Sequence, residues 1–452
     1  MRLTIFQSNK GDCLLLEAQS GELMLCDGGM GTSMRNFVRK ELSALGKQGR
    51  ALELVYISHI DNDHIEGVLQ LLEDEAMWRV FDLHKKGNPI PKPGVPRPPE
   101  IKGILHNGFR DQIGANQAST KNRVAAQAIE NALVALAPSL FATAVPDLVR
   151  AAEEMQAIST GVPEGIQVSQ LIDRKVLNIP LNQPPGTKKP SKLLYAGRPG
   201  ESFKLGSMKF TLIGPTKAEL TKLREGWKHW LANHDARLKE LREEFQRRVD
   251  DFSTGVLKSS PFDLRDWEGI PDYKGVTVPN IASIMWVVEE GEGANPKRLL
   301  LTGDGQQDFI LAGLTRTGFL GKGDNDGLHL DVLKVQHHGS EHNLDENFVR
   351  KVSADHYVFC GDGQHTNPEM VVIERIYNSR LGKKKKAHAL APEAKDRDFH
   401  FWFSTTSAAL DPSTDKHAYF QRVEKKVKKL EKDSKGKLHL HFNEKTSTVL
   451  DI

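Results

Sequence analysis

The chain reads as an α+β protein, a sheet sandwich with flanking helices, and three observations predict it. Alternating apolar and polar residues mark short strands in separate stretches, as at 206–215 and 437–442. Apolar residues at helical spacing mark other stretches, such as 34–45 and 368–381. The length of 452 residues supports a large core, and two stacked sheets with helical inserts absorb it as one unit.

In chain order, residues 1–30 predict two or three strands, with Gly21 in a turn and Gly28-Gly29 ending the last. A helix over 34–45 and an apolar strand over 52–58 follow, then a second helix over 65–72. Beyond the proline-rich connector 89–99, a strand near 101–106 ends in His106 and Asn107. Residues 120–172 are alanine-rich and helical in pattern, broken at Pro138 and Pro146. Strand character returns over 193–212, with Gly197, Gly200 and Gly206 at turns. A charged helix or bent pair is expected over 217–250, with Trp227, Trp230, Leu238, Leu241 and Phe245 as its apolar face. After the helix at 368–381 come Lys383-Lys384-Lys385-Lys386, a block at 400–404, a helix at 416–433 and a strand at 437–442. The expected organisation is a main unit, 1–382, with helical inserts near 109–172 and 217–275. A basic linker and small extension, 383–452, complete it.

A net charge of +3 gives no whole-molecule argument for polyanions. The lysines at 383–386 and 425–432 are clusters able to touch phosphate backbones, although Glu424, Glu431 and Asp433 also suit a solvated helix face. No apolar run approaches the roughly 20 residues of a membrane span. The opening residues read as a strand rather than a secretory leader. Cys13, Cys26 and Cys360 form neither a disulfide framework nor a Cys-x-x-Cys cluster, so cytoplasm is the expected compartment.

The most informative stretch is Ser58-His59-Ile60-Asp61-Asn62-Asp63-His64. It places four metal-ligand side chains in six positions, directly after the apolar strand. In extended chain, side chains two apart share a side, so His59, Asp61 and Asp63 converge at the strand end. His64 approaches from the first turn of the next helix. Imidazole with carboxylate suits Zn, Mn or Fe, and a carboxylate-rich set moves the preference toward harder ions.

These residues resemble the metallo-β-lactamase superfamily signature, in the variant found in the hydrolase domain of competence-type DNA-uptake proteins and their soluble relatives. Further matching segments are Gly11-Asp12-Cys13, Cys26-Asp27-Gly28-Gly29, Asn280-Ile281-Ala282-Ser283, Thr302-Gly303-Asp304, Gln336-His337-His338-Gly339-Ser340 and Gly361-Asp362-Gly363-Gln364-His365. The resemblance covers residues 1 to about 80 and about 275 to 380. It implies an αββα four-layer sandwich and about two divalent ions, Zn or Mn. By this resemblance His59 and Asp61 serve one ion and Asp63 and His64 the other. Asp304 bridges them, and His338 is the late ligand of the second site. His337 is the alternative ligand or a substrate neighbour, and His365 is a polar group near the substrate. Asp12 and Asp27 support the site. Asn280 stands where the family has a further His, and His106 is a candidate replacement or substrate contact.

Such a centre activates water for hydrolysis, with Asp63, His337 and His365 as candidate catalytic groups. The leading expectation is a phosphodiesterase or nuclease acting on nucleic acid or a nucleotide. A hydrolase of a small ester or lactone, and a degenerate one-metal module binding a protein partner through the helical inserts, are the alternatives. His439 and His441 share one strand face and are expected to face solvent, there being no third ligand nearby in sequence.

Overall fold

A computed structural model describes residues 1–84, 90–108, 167–197, 201–222, 282–293 and 295–452. Most of both expected helical inserts, and Asn280, lie outside the described residues.

Two sheets form the frame. The chain opens with β1 (Arg2–Phe6), β2 (Leu14–Glu17) and β3 (Leu23–Cys26), a meander whose turns are set by sequence-local pairing. Helix α1 (Arg39–Lys47) leads into β4 (Leu52–Tyr56), which lies parallel to β3. Helix α2 (Asn62–His84) is much longer than the expected 65–72. The short β5 (Ile104–Leu105) pairs with β4. The hairpin β6 (Ser202–Leu205) and β7 (Met208–Gly214) opens a second sheet, continued by β8 (Met285–Glu290) and β9 (Lys297–Leu301). Then α3 (Gln307–Arg316), β10 (Leu328–Lys334), α4 (Glu346–Lys351), β11 (Val352–Phe359) and α5 (Met370–Leu381) alternate. Next come β12 (Phe399–Phe403), α6 (Asp415–Asp433), β13 (Leu438–Phe442) and β14 (Ser447–Asp451).

The first sheet has the order β14-β1-β2-β3-β4-β5, and the second β13-β12-β11-β10-β9-β8-β7-β6. Strands β9 to β13 are all parallel, so their C-terminal ends share one edge. Residues 383–452, expected as a linker and appended extension, instead supply β12 and β13 to the larger sheet and β14 to the smaller. Their alternating strands are needed to cover core that the earlier residues leave open.

Three apolar clusters follow from this arrangement. Leu3, Ile5, Leu16, Tyr56, Trp286 and Val358 fill the space between the sheets. Leu25, Val55, Leu42, Ile65 and Leu71 bury the outer face of the smaller sheet under α1 and α2. Phe399, Phe401, Phe403 and Tyr357 on the larger sheet meet Ile310, Phe348, Ile373, Phe420 and Val427 from α3 to α6. Helix α6 shows the cause plainly. Thr414 caps its start by accepting from the His417 amide, while Tyr419, Phe420, Val423, Val427 and Leu430 recur at helical spacing and are buried. Lys425, Lys428, Lys429 and Lys432 fall on the exposed side, and so do Lys383 to Lys386 beyond α5.

The inner face at the β11–β13 end carries an unexpected row of imidazoles. His356, His400 and His439 are direct cross-strand neighbours, and His441 faces Trp402. Thus His439 and His441 are not simply two solvent-facing side chains; pairing to β12 brings histidines from distant sequence beside them. Burial, and then the neighbouring His400, depress His356 to about 4.

Two outcomes test the fold. Phe401→Ala removes a fully buried ring between sheet and helices and should cost about 3–5 kcal/mol in denaturant unfolding; a loss below about 1 kcal/mol would contradict the packing. Because His356 stays neutral when folded yet protonates near 6.5 when unfolded, its contribution is complete above about pH 6.5. It is lost as pH falls toward about 4. His356→Gln should therefore flatten the pH dependence of unfolding in that window.

Candidate metal centre

The site forms where the C-terminal ends of β3, β4, β9 and β10 meet. Ser58 and the following motif leave β4, and Asp61 accepts through its backbone carbonyl from the His64 and Ile65 amides as α2 begins. Asp63 lies in that first turn, where the helix dipole favours negative charge. Asp304 follows β9 through Gly303, which has φ +50° and stands so near Ser58 that a Cβ would come within 2.8 Å of the Ser58 Cβ. Only glycine lets the two sheets approach this closely. Gly11 is constrained likewise, since a side chain there would overlap the Asp63 carbonyl.

His337 and His338 follow β10 with φ of +46° and +54°, a left-handed backbone uncommon outside glycine. The turn is held by neighbouring bonds. Asn343 donates to the Asp304 carbonyl at 3.0 Å and faces His337 Nδ1 at 2.7 Å, while Gln336 donates to the Asn343 carbonyl at 2.8 Å. A strained turn of this kind aims two side chains back across the sheet edge.

Four imidazoles present Nε2 to the same carboxylate. The distances to Asp304 oxygens are 3.8 Å from His59, 3.3 Å from His64, 3.7 Å from His337 and 3.5 Å from His338. In three of the rings the other nitrogen has a hydrogen-bonding neighbour, and in His338 it has an ion-pair contact. Ser58 Oγ stands 3.0 Å from His59 Nδ1, Asp27 2.9 Å from His64 Nδ1, Asp12 3.0 Å from His338 Nδ1, and Asn343 serves His337. Asp27 also accepts from the Ser58 amide and hydroxyl, at 2.7 and 2.8 Å. Asp61 lies 3.4 Å from His59 Nε2, and Asp63 lies 3.3 Å from His338 Nε2.

Charge organises the cluster. Burial works to raise Asp304 and Asp63, but His64 and His338 on the first, and Lys10 and His338 on the second, hold both well below the carboxylate range. Burial would lower His64 and His338; Asp304 with Asp27, and Asp304 with Asp12, raise them instead, His338 to about 9. Lys334 is completely buried, ion-pairs with Asp12 and donates to the Gly303 carbonyl at 3.0 Å. Burial disfavours its charge, but Asp12 and Asp304 hold it protonated.

The donor set fits a metal. Nε2 of His59 and His64, both ring nitrogens of His338, and an oxygen each of Asp12, Asp61 and Asp304 are buried without a hydrogen-bond partner. Such orphaned groups cost about 1–3 kcal/mol apiece unless another partner satisfies them. Asp12, His64, Asp304 and His338 offer ligand atoms within 4.8 Å of one another.

The sequence-expected residues therefore converge: His59, Asp61, Asp63, His64, Asp304, His337 and His338 share the cluster, with Asp27 and Asp12 behind two of the rings. His106 is buried at the end of β5, and its backbone amide and carbonyl both bond the Asn182 side chain. His365 sits exposed in the turn Gln364–Thr366; the nearby Gly361 packs against His338. From the sequence Lys334 can either face the site or pack its stem and is left unassigned; the fold sets it against Asp12 and the Gly303 carbonyl. Roles for Ser58 and Asn343 had no signal in the sequence.

Asp27 itself adopts φ +57°, which Asn tolerates as well. Asp27→Asn should keep the fold and weaken zinc binding about 10–100-fold in chelator competition, by loosening His64. Unchanged affinity would remove Asp27 from any orienting role.

No family model matches the chain, and no curated protein does. Among solved structures it is similar to the Rm3 metallo-beta-lactamase, with 11% identity and a TM-score of 0.23 over 96% of this chain and 94% of that one. A likeness that weak carries no weight in assigning chemistry; the side-chain geometry does.

Proposed function

We propose that the protein is a metal-dependent hydrolase of phosphodiester bonds in nucleic acid or a nucleotide, on a four-layer αββα frame of the metallo-β-lactamase kind. The single observation that carries the reading is the convergence of four Nε2 atoms on Asp304, each ring tethered through its other nitrogen. In this reading His59 and Asp61 would hold one divalent ion, Asp63, His64 and His338 would hold a second, and Asp304 stands between the two sets. Bound there, such ions supply Lewis acidity and a water-derived nucleophile at neutral pH.

The remaining chemistry belongs to the chain. Asp27 and Asp12 fix the His64 and His338 tautomers, and Lys334 offsets the negative charge behind Asp12 and Asp304. Asn343 Oδ1 accepts from the His337 Nδ1–H, which leaves Nε2 of the neutral ring able to take a proton from the attacking water. Burial, followed by the neighbouring His338, lowers His337 below the ordinary imidazole range, which keeps that nitrogen unprotonated near neutrality. His365, exposed in its turn, is the proton donor for the leaving oxygen. His106 is buried near the Ile57 backbone and close enough to His59 to feel its charge, and burial lowers it to about 4, so it is a neutral imidazole able to complete the His59 and Asp61 set. Three carboxylates favour harder ions such as manganese alongside zinc, and phosphoryl substrates with them.

Manganese- or zinc-loaded protein should cleave bis(p-nitrophenyl) phosphate or labelled DNA or RNA. His337→Gln should lower kcat about 100-fold or more with metal content unchanged. Fully loaded protein that consumes small esters or lactones but no phosphodiester would overturn the substrate class. Failure to turn over either would leave the site a structural centre.

A further inference from the structure

The imidazole row on the far half of the larger sheet carries a separate reading. Strands β9 to β13 run parallel, and the metal centre lies beyond their C-terminal ends. His400 and His439 are each the second residue of their strands, so they stand toward the opposite end. His356, His400 and His439 stack in cross-strand register, with ring centroids 4.5 and 4.9 Å apart. In the next row Trp402 stacks on His441 at 3.8 Å, nearly parallel at 8°.

Within this array two imidazole nitrogens meet: His400 Nδ1 and His441 Nε2 are 3.0 Å apart. Two imidazole nitrogens bound to one ion at about 2.0–2.1 Å stand roughly 2.9–3.4 Å from each other, depending on the bond angle. The observed separation falls in that range without movement of either strand. Two neighbours fix the rings. Trp402 holds His441 by stacking, and its indole N–H donates to His356 Nδ1 at 3.1 Å, placing His356 flat against His400. His356 then carries its proton on Nε2, which makes it a buttress rather than a ligand. His439 is engaged with Asp398 at 3.4 Å on the exposed side.

We propose that His400 and His441 form a two-imidazole chelate for a divalent transition ion, of the zinc, nickel or copper class, distinct from the centre around Asp304. Imidazole donors select these ions over magnesium or calcium, and an open two-nitrogen chelate leaves further positions for solvent.

The probe is zinc alone, applied to the full chain. Equilibrium dialysis should show one fewer zinc bound by His441→Ala and by His400→Ala than by the parent protein, while Asp304→Ala loses zinc from the other centre and retains this one. On the unaltered protein, diethyl pyrocarbonate modification read by mass spectrometry should slow at least about 10-fold at His441 when zinc is present. Circular dichroism of the variants separates lost binding from lost folding. Equal zinc in the parent and both folded histidine variants, or equal modification of His441 with and without zinc, overturns the proposal and leaves the 3.0 Å contact as a hydrogen bond between two rings.

Discussion

Everything at the site depends on one buried carboxylate, Asp304, being surrounded by imidazoles delivered from different strands. His59 and His64 come from the smaller sheet, and His337 and His338 from the larger. A carboxylate stripped of water needs positive partners or its ionised form is lost. That requirement couples the two sheets, because neither supplies enough compensating groups alone. Gly303 lets the approach happen, and the left-handed turn at His337 and His338 completes the ring of donors.

The outer shell repeats one device. A carboxylate grips the back of an imidazole, Asp27 on His64 and Asp12 on His338, so each ring offers a defined nitrogen forward. Lys334 adds a fixed positive charge behind this arrangement. Without it, Asp12 and Asp304 would place two negative charges within reach of each other in a dry interior. The lysine thereby lets the centre hold several carboxylates together, as a metal site that is oxygen-rich requires.

Much of this was legible in the sequence, and the rest was hidden for physical reasons. The spacing of His59, Asp61, Asp63 and His64 after an apolar strand is local information, and so is the doublet His337-His338. Strand periodicity located the hairpin at β6 and β7 and the helix α6. Long-range pairing was not visible. Nothing local says that β12 and β13 extend the larger sheet, so residues 383–452 read as an appendage and His441 as an isolated side chain. The direct contact of Asp12 with His338 was likewise out of reach, because it joins residues more than 300 positions apart through folding alone. The long α2 exceeded expectation because its later turns are held by the segment after it, Trp78 donating to the Val95 carbonyl and lying beneath Arg97, contacts that a short periodic window does not contain.

The pairing of β14 with β1 sets a condition on how the protein is made. Residues 447–451 satisfy the backbone of residues 2–6 across one side of the smaller sheet. During synthesis that side stays bare from the moment β1 emerges until nearly 450 residues have followed it. An uncovered apolar edge invites pairing with other nascent chains. That side of β1 therefore stays unpaired in every folding intermediate in which residues 447–451 have not yet docked.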